Sequence, residues 1–316
     1  MTTAFRSGWR DTLLDRLTSA ARLLPRGRTT AHRVVWRALG APRRFVGRVD
    51  GQMFCVDAND TDISTTIYLR QEWEPPSTAV WKALLAPGQV VVDVGANKGW
   101  FSLLAAPRVK PDGRVISYEP LPRNVADLEV TSAANLHHHW RTRPVAASDR
   151  PGVAQLVSPR DDHGTGWGSL QRDIASGDNV AVDVQLVALA EDLAAQGVDR
   201  VDLLKMDIEG HELEALKGLL PMLREQRVAQ LLVELHPKLL GREGVDELIR
   251  MILGCGYEAR LLDESAMSMT RWRRAADGAG DRSVIDTMPP ISGPEDSTIR
   301  DRGYFKLLFT LPIRES

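Results

Sequence analysis

The sequence predicts an α/β protein built on a doubly wound, mostly parallel sheet, and three observations carry that prediction. Val90 to Val94 is an unbroken β-branched run interrupted only by Asp93, as expected of a strand buried on both faces. Gly95 and Gly99 bracket a tight turn, after which Trp100, Phe101, Leu103 and Leu104 resume at helical spacing. Two further apolar runs, Val201 to Asp207 and Leu231 to Leu235, end in charged residues, as strands do when their carboxyl ends face a ligand.

The strand, glycine turn and helix form the first half of a nucleotide-binding βαβ unit, which aims backbone N–H groups at a ligand. A dinucleotide fingerprint requires GxGxxG, but Asn97 and Trp100 occupy the later glycine positions, so an NAD-dependent oxidoreductase is excluded. An acid at the strand end, Asp93, followed by GxxxG suits a ligand with a cationic ammonium and no pyrophosphate, as in S-adenosylmethionine. The next strand, Arg114 to Tyr118, ends in Glu119, 24 residues past Gly95 and placed to accept hydrogen bonds from ribose hydroxyls.

The stretches DVGANKGWFSLLA, YEPLPRNVADLE, LLKMDIEGHELEALKG and LLVELHP, in that order, resemble the FkbM-type family of S-adenosylmethionine-dependent methyltransferases. The resemblance covers about Asp60 to about Leu240, and KxDxEGxE is its most specific part. It implies a Rossmann-like class I methyltransferase fold, a seven-stranded mostly parallel sheet with an antiparallel last strand. Cofactor contacts are then expected from Asp93, Gly95, Asn97, Gly99 and Glu119, and from Asp149 toward the adenine amino group. Asp149 also fits plain turn chemistry before Arg150, Pro151 and Gly152. The WEPP stretch resembles the family's acidic-proline entry, so Trp73 and Glu74 are candidates to border the cofactor or substrate. Asn124 resembles the family's asparagine after the EP step, though a helix N-cap is the simpler reading.

The 316 residues, 43% hydrophobic with a net charge of -2, describe a globular protein with a sizeable core and no affinity for nucleic acid. No apolar run approaches a membrane span and no signal peptide is evident, so a cytoplasmic location is expected. Cys55 and Cys255 imply neither a disulfide framework nor a cysteine metal site. Arginine outnumbers lysine 33 to 7, the mark of a GC-rich bacterial genome. The expected division is an Arg-rich helical cap and hairpin over 1–58 and a methyltransferase domain over 59–316, with loop insertions at 158–179 and 263–301.

Residues 1–48 hold 11 Arg and only Asp11 and Asp15 as acids; Leu13, Leu14, Leu17, Ala20, Ala21 and Leu24 fall at helical spacing. The segment reads as a helix packed on the domain, with a lid, a homodimer arm or an anion-binding patch as functional alternatives. Phe45 to Val56 is a hairpin turned at Asp50 and Gly51. His137 to His139 form a polar run before a third strand, expected at Pro144 to Ala147. Gly152 to Ser158 and Asn179 to Leu189 form an antiparallel insertion, and Asp161 to Asp178 between them is long enough to act as a flap carrying Trp167 toward substrate, with an ordinary exposed connection as the equal alternative. Helices are expected after Glu212 and over Val245 to Leu253, and strands at Tyr257 to Leu262 and Tyr304 to Leu311, the last being the antiparallel strand. Asp263 to Asp301 reads as a long insertion with little apolar content, partly disordered.

The densest charge lies at the end of the fourth strand: Lys205, Asp207, Glu209, His211 and Glu212, with Glu234 and His236 at the end of the fifth. Such groups at a sheet centre must pair with one another, with ligand or with metal. Lys205, Glu209 and Glu234 are therefore candidate substrate contacts. Asp207 is expected to orient the cofactor or the acceptor. Deprotonating an aliphatic hydroxyl needs a base, for which His236 ranks first, His211 second and Asp207 third. Asp207, Glu209, Glu234 and His236 also have the composition of a Mg²⁺ site, which the sequence does not force. The reading is an O-methyltransferase acting on a hydroxyl of a small molecule, a sugar or natural product. An N-methyltransferase and a non-catalytic cofactor-binding scaffold are the alternatives.

Overall fold

The computed structural model describes residues 43–60, 62–159, 168–170, 179–277 and 281–312. The Arg-rich segment before residue 43 and Trp167 lie outside the described residues. The chain enters through a hairpin, β1 (Arg44–Val49) and β2 (Gln52–Asp57), and two helices, α1 (Ser64–Arg70) and α2 (Pro75–Leu84). Asp50 and Gly51 both have positive φ, 47° and 74°, as the two-residue turn of a right-twisted hairpin requires. Three βα steps follow: β3 (Val90–Val94), α3 (Trp100–Val109), β4 (Arg114–Tyr118), α4 (Pro122–Ala134), β5 (Trp140–Arg143), then the small strands β6 (Ala146–Ser148), β7 (Gly152–Pro159) and β8 (Asn179–Ala188), and α5 (Leu189–Ala195). The second half contains β9 (Leu203–Met206), α6 (Glu212–Arg224), β10 (Gln230–Leu235), α7 (Pro237–Gly254), β11 (Glu258–Leu262), α8 (Met269–Asp277), α9 (Ser283–Asp286), β12 (Pro290–Ile291) and β13 (Phe305–Thr310).

The main sheet runs β12-β11-β13-β10-β9-β3-β4-β5. β5, β4, β3, β9 and β10 are mutually parallel, and β13 inserts antiparallel between β10 and β11. This is the expected seven-stranded arrangement with one addition at its edge, where Pro290 and Ile291 pair with Arg260 and Ala259. Alternate side chains serve opposite cores. Val91, Val115, Leu203, Leu232 and Leu308 pack toward α2, α3 and the hairpin. Val92, Ile116, Leu204, Val233 and Leu307 pack toward α5, α6 and α7. Strand order reverses at β3 and β9, so the crevice at their carboxyl ends is the switch point where such folds take ligand.

Four expectations change. The third strand is Trp140–Arg143, because its residues match β4 in register; Ala146–Ser148 instead pairs with β8 in a separate three-stranded sheet. Hairpin residues Phe45, Phe54 and Val56 share a core with Tyr68 and Trp81, so a boundary at residue 58 would cut through packed side chains. The described part of the insertion after Asp263 has an anchor: Trp272 is fully buried against this core and its Nε1 donates to Glu264 O at 2.9 Å. Finally, Leu121 is the N-cap of α4, and Asn124 lies inside the first turn. Among the described residues no helix is long and apolar enough to cross a membrane.

Candidate active site

A cavity of about 340 Å³ opens at the carboxyl ends of β3, β4, β9 and β10. Its floor is the turn after β3. Gly95 has φ 78°, and a Cβ there would lie 2.0 Å from Asp207 O, so only glycine lets the turn approach the end of β9. Gly99, at φ 82°, caps α3 and would drive a Cβ to 2.4 Å from Leu128 Cδ2. Between them Asn97 adopts φ 49°.

Glu119, buried at the end of β4, ties this turn to the next helix. Its Oε2 accepts Asn97 N–H at 2.8 Å, and its Oε1 accepts Leu121 N–H at 3.0 Å and Asn124 Nδ2–H at 3.3 Å. Burial pushes its carboxyl above the ordinary range against those donors. Gly95, Asn97, Glu119 and Asn124 all line the cavity. Asp93 does not: it is completely buried behind the turn, where its Oδ2 accepts Ser102 Oγ–H at 2.6 Å. The acid at the strand end thus fixes β3 to α3 instead of facing the ligand. Asp149 also stands off the lining, beside Ser148 and Arg150 on the rim.

The opposite wall is acidic, formed by Glu74, Asp207, Glu209 and Glu234. Two buried lysines partly offset it. Lys205 Nζ lies 3.3 Å from Asp207 Oδ2 and 4.7 Å from the centre of the Phe101 ring. Lys306, from the reversed strand β13, lies 3.0 Å from Glu234 Oε2 and also bonds Glu74 and Ser77. Sequence reasoning missed Lys306. The available signal was a lone lysine in the otherwise apolar run FKLLF, but its partners become visible only once β13 is placed beside β10.

Charge crowding sets the protonation of this wall. Burial would raise Asp207, yet the fields of Lys205, His236 and Lys306 hold it below the ordinary carboxylate range. Burial and the neighbouring Asp207 push Glu209 up to about 7 and Glu234 up to about 8. His236, the N-cap residue of α7, places Nδ1 3.2 Å from Glu212 Oε1, and Nε2 3.6 Å from both Glu209 Oε2 and Glu234 Oε1. Burial would lower its imidazole, but the Glu212 hydrogen bond and the fields of Asp207, Glu212 and Glu209 carry it up to about 9. At neutral pH it is therefore charged in the ligand-free protein and not in the cavity lining, the reverse of what a waiting base requires. His211 does line the cavity. Burial lowers its imidazole, and its Nε2 lies 3.0 Å from Ser148 Oγ.

The described residues between β7 and β8 reach the site. Gly168 and Leu170 line the cavity, and Ser169 is pinned to Val157 by backbone bonds of 2.9 and 3.1 Å. Ser169 Oγ–H also donates to Glu209 O at 2.9 Å, holding a residue whose φ is 52°.

The chain is 33% identical over 162 residues to methyltransferase sdnD of Sordaria araneosa, covering 43% of this chain and 62% of that protein. It is 30% identical over 201 residues to 31-O-demethyl-FK506 methyltransferase FkbM of Streptomyces tacrolimicus, covering 55% of this chain and 74% of the relative. Among solved structures, M. jannaschii TYW2 in complex with AdoMet aligns at TM-score 0.42 and 12% identity, over 86% of this chain and 89% of that one. The sequence model of the methyltransferase FkbM domain matches residues 93–259, more than half of the chain, from the end of β3 to the start of β11. The protein belongs to the FkbM methyltransferase family.

Proposed function

We propose that the protein transfers the methyl group of S-adenosylmethionine to a hydroxyl of a small molecule. The observation that carries the reading is one cavity with two chemically different walls. On one side the Gly95 to Gly99 turn and the buried Glu119 suit the nucleoside part of the cofactor. On the other, carboxylates at the ends of β9 and β10 suit the reacting centre.

Transfer needs the acceptor oxygen in line with the methyl carbon and the sulfur, at about 3 Å, in a site closed to water. An oxygen lone pair forms the new bond to carbon as the carbon–sulfur pair leaves onto sulfur, giving a neutral thioether. The hydroxyl proton passes to a carboxylate of the acidic wall. Glu234 suits that role above about pH 8: it lines the cavity, and once its raised carboxyl has ionised it is a stronger base than an ordinary glutamate. Lys205 keeps Asp207 ionised beside it, while Trp73, Trp100 and Phe101 supply apolar lining that excludes water.

One relative named above supports the reading, since its name, 31-O-demethyl-FK506 methyltransferase, places the methyl group on an oxygen. The test is to incubate the protein with methyl-labelled S-adenosylmethionine and a panel of hydroxylated and amino acceptors, locating the label by mass spectrometry. Label on oxygen, lost in Glu234→Gln, supports the reading; label on nitrogen alone contradicts it.

A further inference from the structure

We propose that Asp207, Glu209 and His236 form a site for a divalent metal cation on the acceptor side of the cavity; this rests on the methyl-transfer reading and names how that wall engages a hydroxyl. One donor atom from each of the three residues lies within 4.8 Å of the other two.

The orientation of His236 is a second and independent indication. Its Nδ1 lies 3.2 Å from Oε1 of Glu212, which is completely buried and also accepts Gly210 N–H at 3.1 Å. That contact fixes the ring with Nδ1–H toward Glu212 and Nε2 toward the wall, where a metal would displace the proton that Nε2 carries in the ligand-free protein. A buried carboxylate holding the far nitrogen of an imidazole is the arrangement that orients metal-ligating histidines. The other oxygen of Glu212 is buried with no partner among the described residues, so no protein donor neutralises it.

The empty span has the right size. Nε2 stands 3.6 Å from both Glu209 Oε2 and Glu234 Oε1, too long for a good hydrogen bond. Two ligand atoms each about 2.1 Å from one metal are about 3.4 Å apart at a tetrahedral angle and about 3.0 Å apart at an octahedral one, so a closure of a few tenths of an ångström would complete the site.

The charge balance points the same way. Glu74, Asp207, Glu209, Glu212 and Glu234 face Lys205, Lys306 and the charged His236 among the described residues, five carboxyl groups against three cations. An overlapping trio, Glu74, Asp207 and Glu234, is less suitable because Lys306 already occupies both glutamates. One imidazole with two carboxylates selects a first-row ion such as Mn²⁺ over Ca²⁺. A dication there would bind the acceptor hydroxyl and lower its pKa, leaving Glu234 free to take the proton.

The test is Mn²⁺ titration of the full-length protein without cofactor, read by electron paramagnetic resonance. The expected result is one equivalent of bound Mn²⁺ with a nitrogen coupling from imidazole. His236→Gln should abolish the coupling, Glu209→Gln should weaken binding at least tenfold, and Glu212→Gln should weaken it by roughly ten- to a hundredfold. No bound Mn²⁺, or binding unchanged by Glu209→Gln and His236→Gln in variants of native circular dichroism, overturns the proposal. Titration of the same samples with S-adenosylhomocysteine separates the two readings. Cofactor-product binding without Mn²⁺ binding removes the metal site alone, and Mn²⁺ binding without cofactor-product binding upholds the metal site and removes the methyl-transfer reading.

Discussion

Lys306 stands directly opposite Glu234 in the register of β13 and β10, and its Nζ lies 3.0 Å from Glu234 Oε2 while it also bonds Glu74. The antiparallel strand thereby sends a cation under the acidic wall and anchors the residue at which α2 begins, Glu74, with φ 40°. Lys306→Met removes the partner of two part-buried carboxylates. Breaking a buried pair in this way should destabilise the fold by on the order of 3 kcal/mol, measured by urea unfolding. Lys306→Arg should recover part of the loss, and unchanged stability in Lys306→Met would show the wall does not need the lysine.

Gly95→Ala should abolish cofactor-product binding and lower stability. The residue sits at φ 78°, where a Cβ costs about 1–2 kcal/mol before contacts are counted, and that Cβ would fall 2.0 Å from Asp207 O. Gly197→Ala serves as the control: its φ is 69°, but a Cβ there meets nothing within 4 Å. It should show the backbone cost alone and bind normally. Equal behaviour of the two variants in calorimetry would refute the close approach.

Trp272→Ala tests whether the insertion after Asp263 is part of the folded unit. The indole is fully buried among residues of α2 and the hairpin core, so its removal should cost about 3–5 kcal/mol. A midpoint in denaturant unchanged from wild type would return the insertion to a loosely attached loop.

The fold was legible in the sequence wherever periodicity and glycine chemistry act locally. The β-branched run before Gly95, the Asp50 and Gly51 turn, and the strictly alternating β8 each state their structure within a few residues. What escaped depended on pairing between distant segments. The third strand was placed a few residues late because Pro144 to Ala147 looked more apolar than WRTR, yet Trp140 and Thr142 are what fit beside β4. Trp272 could not be recognised as an anchor without the surface of α2. At the site, the sequence named Glu74, Asp207, Glu209 and Glu234, which line the cavity, but not their states. His236 looked like a base by its ordinary pKa, and only the position of Glu212 and Glu209 shows that it is held charged. Asp93 was expected to face the ligand, and the inward side of β3 hides it behind Ser102.

Cofactor affinity should depend on pH through Glu119. Burial raises its carboxyl, so in the free protein it stays protonated to a higher pH than an ordinary glutamate. Ribose hydroxyls donate to the ionised form, and protons therefore compete with the ligand. Affinity for S-adenosylhomocysteine should rise with pH through that raised value and then level off. Glu119→Gln should weaken binding by roughly ten- to a hundredfold and flatten this dependence. An identical pH profile in the variant would remove Glu119 from the binding site.

The central claim is that the cavity at the ends of β3 and β4 takes S-adenosylmethionine rather than a dinucleotide. It is tested most directly by calorimetric titration of the protein with S-adenosylhomocysteine and, separately, with NAD. The account predicts saturable binding of one equivalent of S-adenosylhomocysteine and no heat with NAD. Saturable binding of NAD, or none of S-adenosylhomocysteine, would contradict it.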